Sequence, residues 1–290
     1  MPSTSSFPEK TTGVLPGVLY IVATPIGNKD DITLRALDTL KNVDWVAAED
    51  TRHTGHLFSL HHIQNRLISY HEHNEAGRTP MLIEKLKNGE SVALVSNAGT
   101  PTISDPGYDL IQAAVVHHIP VTPIPGVSAP AAALSVSGLA TDAFVFMGFL
   151  SRKKQKRQHQ MEAVRKEKRT VVVYESPNRI KPLLKELIAA GCNRSGMLAR
   201  EMTKMHEEFI RGDLSDILAL LEEKDEVRGE CTLLVSGGSE EPVSMDDIRH
   251  EITVLLQKTK VSASDLAKIL AAKHKISKKI LYEEILKVER

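Results

Sequence analysis

Short, β-branched apolar runs alternate with amphipathic stretches along most of this chain. Residues 17–23, Gly-Val-Leu-Tyr-Ile-Val-Ala, predict a strand buried on both faces, because the run is apolar without alternation. From Ile32 the spacing changes, and Leu34, Leu37 and Leu40 fall on one helical face. Trp45-Val46-Ala47-Ala48 and Leu67-Ile68-Ser69-Tyr70 predict two more strands, followed by a helix over 80–87, a strand over 91–96, a helix over 108–116 and a strand over 120–124. Such alternation predicts a largely parallel sheet with helices on both faces. A second α/β unit repeats the pattern: strands over 144–147, 170–174, 195–199 and 230–236, and helices through the basic segment after Gly148, over 180–189 and over 213–221, with a polar run at 200–208.

After the linker-like Gly237-Gly238-Ser239 the pattern is wholly helical. Ser264-Asp265-Leu266-Ala267 carries a capping signal for one helix and 276–286 forms another. Two short helices with a lysine-bearing second member suit a helix-turn-helix, and equally a helical cap that packs on the body or on a partner. The expected organisation is a disordered tail over 1–16, α/β domains over 17–126 and 127–238, and a helical extension over 239–290.

Three strands empty into breaker clusters. Thr24-Pro25-Ile26-Gly27-Asn28 follows the first, Ser96-Asn97-Ala98-Gly99-Thr100-Pro101-Thr102-Ile103-Ser104-Asp105-Pro106-Gly107 the fourth, and Pro125-Gly126-Val127-Ser128-Ala129-Pro130 the fifth. Loops at strand carboxyl ends share one edge of a parallel sheet, so these three are expected to converge on one ligand. The longest has no lysine or arginine, and neither G-x-x-x-x-G-K-[ST] nor G-x-G-x-x-G occurs, which favours main-chain and shape recognition over a triphosphate. Within it Ser104 or Asp105 reads as a cap for the next helix, with Pro106 in the first turn.

Composition narrows the class. The 290 residues are 41% hydrophobic and 26% charged, as in a globular protein with a real core. Aromatics are 4%, too few for base-stacking platforms as the main grip on nucleic acid. The two cysteines, Cys192 and Cys231, make neither a zinc site nor a disulfide framework, and with no membrane span or signal peptide the expected home is cytoplasmic. Formal net charge is zero, yet 151–169 holds nine Lys or Arg against Glu162 and Glu167, and 258–290 holds nine against four acidic residues. Two basic segments in a neutral chain point to a local polyanion site, with solvated helix faces as the alternative.

His71-Glu72-His73-Asn74-Glu75 follows the third strand. On a strand His71 and His73 point one way and Glu72 the other, so a polar loop is expected there and no metal. Glu49, Asp50, His71, Glu72, Glu175, Glu201 and His206 stand near predicted strand ends as candidates for a catalytic base, and Arg52, Arg200 and Lys204 as candidate phosphate contacts.

These motifs, with Ala48-Glu49-Asp50-Thr51-Arg52, Tyr174-Glu175-Ser176-Pro177 and Ala199-Arg200-Glu201-Met202-Thr203-Lys204, together resemble one family. It is the bacterial small-subunit (16S) ribosomal RNA 2′-O-ribose cytidine methyltransferases of the tetrapyrrole-methylase superfamily, and the resemblance covers roughly 17–238. It implies two α/β domains with S-adenosylmethionine in the cleft between them, a homodimer, and methylation of a cytidine 2′-hydroxyl in the decoding region of the small subunit. Carried over, the cofactor contacts are Pro25, Thr100, Ile103, Ser128, Ala129, Tyr174, Ala199 and Cys231, and no metal is needed. Asn97 departs from the family, which has aspartate there. A methylase of the same fold acting on a corrin precursor or a protein, and a non-catalytic ribosome-binding protein, are the alternatives.

Overall fold

The structure, a computed structural model, describes residues 13–238, 245–258, 261–274 and 276–288. The expected disordered tail falls, up to residue 12, outside the described residues, as does Ser239 of the expected linker. The chain divides into two compact units, Met1–Gly237 and Gly238–Arg290.

The first unit contains two sheets. In chain order the first lobe runs β1 (Leu19–Val22), α1 (Leu34–Asn42), β2 (Trp45–Ala48), α2 (Thr51–Leu60), β3 (Leu67–Ser69), α3 (Glu75–Lys87), β4 (Val92–Val95), α4 (Tyr108–Val116) and β5 (Val121–Ile124). Its strands are ordered β3-β2-β4-β1-β5 and every pairing is parallel, as the alternation predicted. Period-2 alternation divides the strand residues between two cores. Tyr20, Val22, Val46, Ala48, Ala93 and Val95 pack with Ala36, Leu40 and Phe58, whereas Leu19, Ile21, Ala47, Val92 and Leu94 pack with Leu82, Ile83, Leu86, Leu110 and Ala114. Helices therefore cover both faces, which is why the strands read as continuous apolar runs.

The second lobe comprises α5 (Ala129–Ser137), β6 (Phe144–Phe149), α6 (Lys154–Lys166), β7 (Thr170–Glu175), α7 (Pro177–Ala189), β8 (Ser195–Arg200), β9 (Glu208–Asp213), α8 (Leu214–Glu222) and β10 (Cys231–Val235). Its order is β6-β7-β10-β8-β9, parallel only between β6 and β7. Met161, Val164, Ile180, Leu183, Leu187, Leu214 and Ile217 bring α6, α7 and α8 onto one face. On the other face Ala133 and Leu134 of α5 pack with Val172, Met197 and Leu234, and Ile26 from the loop after β1 joins the same cluster. That insertion ties the first lobe to the second.

Three sequence expectations need correction. Strand β9 follows the polar run expected over 200–208, on residues that had been given no strand, because an edge strand carrying Glu208, Arg211 and Asp213 dilutes the apolar signal. Helix α3 begins at Glu75, earlier than expected, and contains Pro80, whose missing N–H forfeits one intrahelical hydrogen bond. Neither Ser104 nor Asp105 caps α4. Gly107 is its N-cap, at φ 127° and with no side-chain hydrogen bond.

The second unit consists of α9 (Met245–Lys258), α10 (Ala263–His274) and α11 (Lys278–Val288). Ile248 and Ile252 close a small core with Leu266, Leu270, Leu281 and Ile285. The cap of α10 is Ser262, whose hydroxyl accepts the Asp265 N–H at 3.2 Å, and not Ser264.

Candidate functional site

Strands β4, β1 and β5 are neighbours in the first sheet, so the loops that leave their carboxyl ends lie side by side. The Thr24 N–H donates to the Gly99 carbonyl at 2.8 Å and the Gly99 N–H returns a bond to Thr24 at 3.0 Å. The Thr24 hydroxyl donates to the Ser96 carbonyl at 3.1 Å, and the Thr100 hydroxyl to the Val127 carbonyl at 3.0 Å. A Cβ on Gly126 would lie 2.9 Å from Ala23 Cβ, so glycine is what permits the third loop to close on the first. The convergence expected from the breaker clusters is thus a hydrogen-bonded unit.

Between this unit and the second sheet lies a cavity of about 310 Å³, walled by Ile26, Ala98 to Thr100, Ile103 to Asp105, Ser128, Ala129, Phe149, Tyr174 to Pro177, Met202 and Glu230 to Thr232. Of the expected cofactor contacts, Thr100, Ile103, Ser128, Ala129, Tyr174 and Cys231 line it. Pro25 is buried beside the wall residue Ile26, and Ala199 pairs with Thr232 across the sheet behind the wall. Phe149 and Glu230 had not been singled out, and Asp105 only as a helix cap. Phe149 is turned to the cavity by a register shift between Phe146 and Gly148, with Gly148 at φ 60°, and a glycine inside a strand was the signal available. Tyr174 meets Phe146 and Phe149 edge to face at 4.9 and 5.5 Å between ring centres.

Three carboxyls line the cavity: Asp105, Glu175 and Glu230. The Glu175 side chain is fully buried, its Oε2 lying 3.3 Å from Arg179 and 3.7 Å from Arg157. Glu230 pairs with Lys204 at 3.2 Å. Asp105 has no cationic partner among the described residues, and burial pushes its carboxyl up to about 6, with Glu49 adding in the same direction and Ser96 opposing it. Burial also raises the Tyr174 phenol, reinforced by the charges of Asp105 and Glu230, and pushes the Cys231 thiol up to about 12.

The remaining candidates lie off the wall. Glu49 Oε2 accepts the Asn97 N–H at 3.1 Å, and Asn97 Oδ1 is buried without a hydrogen-bond partner. The His71 ring accepts the His73 N–H and contacts the Asn74 amide at 3.1 Å. Glu201 accepts from Lys204 at 2.9 Å and from the Glu230 N–H at 3.0 Å, and the lysine bond holds its carboxyl below the usual range. Asp50 caps α2 and forks onto Arg52, which lowers its pKa. Glu72 and His206 are exposed. Arg200 is spent on Glu208 and the Arg228 carbonyl. Arg52 stays 90% exposed. Among the described residues no cluster of three His, Cys, Asp or Glu has metal-binding geometry, and no helix is long and apolar enough to cross a membrane.

The model of the tetrapyrrole (corrin/porphyrin) methylases matches residues 18–218. Over 277 residues the chain is 46% identical to the ribosomal RNA small subunit methyltransferase I of Synechocystis sp., covering 94% of this chain and 99% of that one. It is 44% identical over 231 residues to the protein of the same name from Bacillus subtilis, covering 80% and 79%. A crystal structure of uroporphyrin-III C-methyl transferase from Thermus thermophilus, complexed with S-adenyl homocysteine, superposes with a TM-score of 0.53 at 19% identity, over 75% of this chain and 96% of that one. That likeness is one of fold.

Proposed function

We propose that this chain, which belongs to the tetrapyrrole (corrin/porphyrin) methylase family and within it to the ribosomal RNA small subunit methyltransferases I, methylates the ribose 2′-hydroxyl of a cytidine in the decoding region of 16S ribosomal RNA, using S-adenosylmethionine. The observation that carries the cofactor is the character of the cavity wall. Asp105, Glu175 and Glu230 supply negative charge, Phe149 and Tyr174 supply ring faces, and among the described residues no lysine, arginine or histidine lines the cavity. Carboxylates and aromatic faces suit a sulfonium cation, and about 310 Å³ is at the lower end of the range for small-molecule sites.

S-adenosylmethionine, when bound, supplies the electrophilic methyl group. Thr100, Ile103, Ser128, Ala129, Tyr174 and Cys231 hold it, with Pro25 and Ala199 buttressing the wall from behind. The clamped loops fix its place, since in-line transfer rewards a near-attack arrangement of the ribose oxygen. Of Glu49, His71, Glu175 and Glu201, Glu175 alone reaches the wall, and the others hydrogen-bond within or between loops. Exposed Arg152, Lys153, Lys154 and Lys156 at the start of α6 form the basic surface for RNA, and the helical extension over 239–290 adds a second. A second copy of the chain is the proposed partner, supported by Tyr108, Val115 and Val116, which are 61–68% exposed on α4.

The test is transfer of label from radiolabelled S-adenosylmethionine to small subunits that lack native modification, with the labelled nucleotide mapped. Label on a cytidine 2′-oxygen is expected. Cofactor binding without label on RNA would move the assignment to a small-molecule or protein methylase.

A further inference from the structure

The loop from Ser96 to Gly107 is under backbone constraint where it meets the cavity. Thr102 and Ser104 both take positive φ, 73° and 71°, a region that side chains with a Cβ enter only when the surroundings hold them there. Gly107 at φ 127° closes the segment, and a Cβ there would lie 2.5 Å from Leu94 Cδ2. Because Gly107 takes the N-cap position of α4, the Asp105 carboxyl caps no helix and lines the cavity instead. Glu175 and Glu230 on the same wall stand against cations, whereas Asp105 has none among the described residues. The groups that face it are Glu49 and Ser96 from the first lobe and Tyr174 from the second.

We propose that Asp105 is the proton acceptor for the hydroxyl that is methylated. This rests on the function proposed above. The oxygen–carbon bond forms as the sulfur–carbon bond breaks, the released electron pair stays on sulfur, and the hydroxyl proton passes to the Asp105 carboxylate. A carboxyl tuned by burial to about 6 is ionised at neutral pH and still more basic than an ordinary aspartate, which suits general-base work. Glu175 and Glu230 are already engaged by cations, Glu175 by Arg179 and Arg157 and Glu230 by Lys204.

The experiment compares wild type, Asp105→Asn and Asp105→Glu in three measurements. These are affinity for S-adenosylhomocysteine by calorimetry, single-turnover methylation of unmodified small subunits from pH 5 to 9, and carboxyl carbon NMR of labelled aspartates with Asp105→Asn giving the assignment. The expected result is a carboxyl titrating near 6, a wild-type rate that rises through that pH, and at least a 100-fold loss in Asp105→Asn. Affinity for S-adenosylhomocysteine, which lacks the sulfonium charge that the Asp105 carboxylate would attract, stays within about threefold, and Asp105→Glu recovers part of the rate with its pH limb. An Asp105→Asn rate within threefold of wild type overturns the proposal while leaving the methyltransferase reading intact, as does a rate loss matched by an equal loss of cofactor affinity. Failure of the wild type to methylate any subunit, with cofactor still bound, overturns both.

Discussion

Arg157 of helix α6 reaches inward to Glu175 on the cavity wall, 3.7 Å from Nη1 to Oε2, and its Nε donates to Glu186 at 2.5 Å. The helix that carries the basic segment is thereby fastened to the site, and its charges divide into two kinds. Arg157 is 13% exposed and structural, while Lys153, Lys154 and Lys156 are exposed. Replacing these three lysines with glutamine is expected to leave the melting temperature unchanged. The slope of log affinity for ribosomal RNA against log salt should fall by about 2, since each phosphate contact contributes about 0.7–0.9. Arg157→Ala is expected instead to destabilise the fold by about 2 kcal/mol, less than the loss of a sole partner because Arg179 remains beside Glu175. A salt titration of binding with thermal denaturation separates the two. An unchanged slope in the triple variant would remove α6 from the RNA surface.

Gly27 lies where the two lobes approach closely. An added Cβ would lie 2.6 Å from Thr203 Oγ1 and Lys204 Cγ and 2.8 Å from the Met202 carbonyl, and the next residue, Asn28, donates its N–H to Thr203 Oγ1 at 2.9 Å. The carbonyl belongs to a loop fixed by Glu201 and Thr203 at positive φ, so it cannot yield cheaply. Gly27→Ala is expected to cost about 1–3 kcal/mol and to weaken cofactor binding by prising Ile26 out of the wall. Denaturant titration and calorimetry on the same variant check both. A stability loss with full affinity would place the damage away from the cavity.

The first lobe was largely legible because its inner strands β1, β2 and β4 are mostly buried and the loops after β1, β4 and β5 carry their own breakers, so periodicity and punctuation agree there, whereas α2, flanked by no glycine or proline, went unread. The second was less so. Its antiparallel outer strand β9 carries alternating charge, and the turn before it depends on Glu201 and Thr203 at positive φ, with no glycine to announce it. At the site, the residues carried over by resemblance fall mostly on the cavity wall, but Asp105 was read as a helix cap. Ser-Asp-Pro-Gly is a sound local signal for a cap. Tertiary packing of Gly107 against Leu94 overrides it. The pairing of Glu175 with two arginines from different helices is equally invisible locally, since Arg157 lies within what reads as an unbroken solvated basic run.

The raised pKa of Asp105 has a consequence for stability. Its carboxyl goes from an ordinary 3.8 to about 6 on folding, so the folded state binds the proton more tightly. That stabilisation is fully present below about pH 4 and is lost as pH rises through 6. Asp105→Asn removes the ionised, desolvated carboxylate that the native protein carries above pH 6. The variant without cofactor is therefore expected to be more stable than wild type by about 1–2 kcal/mol at pH 7.5, after discounting for partial exposure, and no more stable at pH 4. Urea denaturation of both proteins at the two pH values measures this. Equal stability of the two at pH 7.5 would mean that the carboxylate is well solvated, and would weaken its case as a tuned base.

Cys231 gives a probe of whether the cavity stays closed. It begins β10, pairs with Glu175 and Arg200 across the neighbouring strands, and lines the cavity while only 3% exposed. Burial pushes its thiol up to about 12, and raises that of Cys192 as well. At pH 8 a thiol of pKa about 12 is thiolate in roughly one molecule in 10,000, and the thiolate is the species that reacts. Native protein is therefore expected to resist iodoacetamide at pH 8 over an hour, whereas unfolded protein takes up label at both cysteines, as mass spectrometry of intact chain and peptides would record. Cofactor should slow whatever labelling Cys231 undergoes and leave Cys192, which is buried but does not line the cavity, unaffected. Rapid labelling of Cys231 in the native protein would mean that the wall opens around β10 in solution, and cofactor protection would then report closure of the lobes on the ligand.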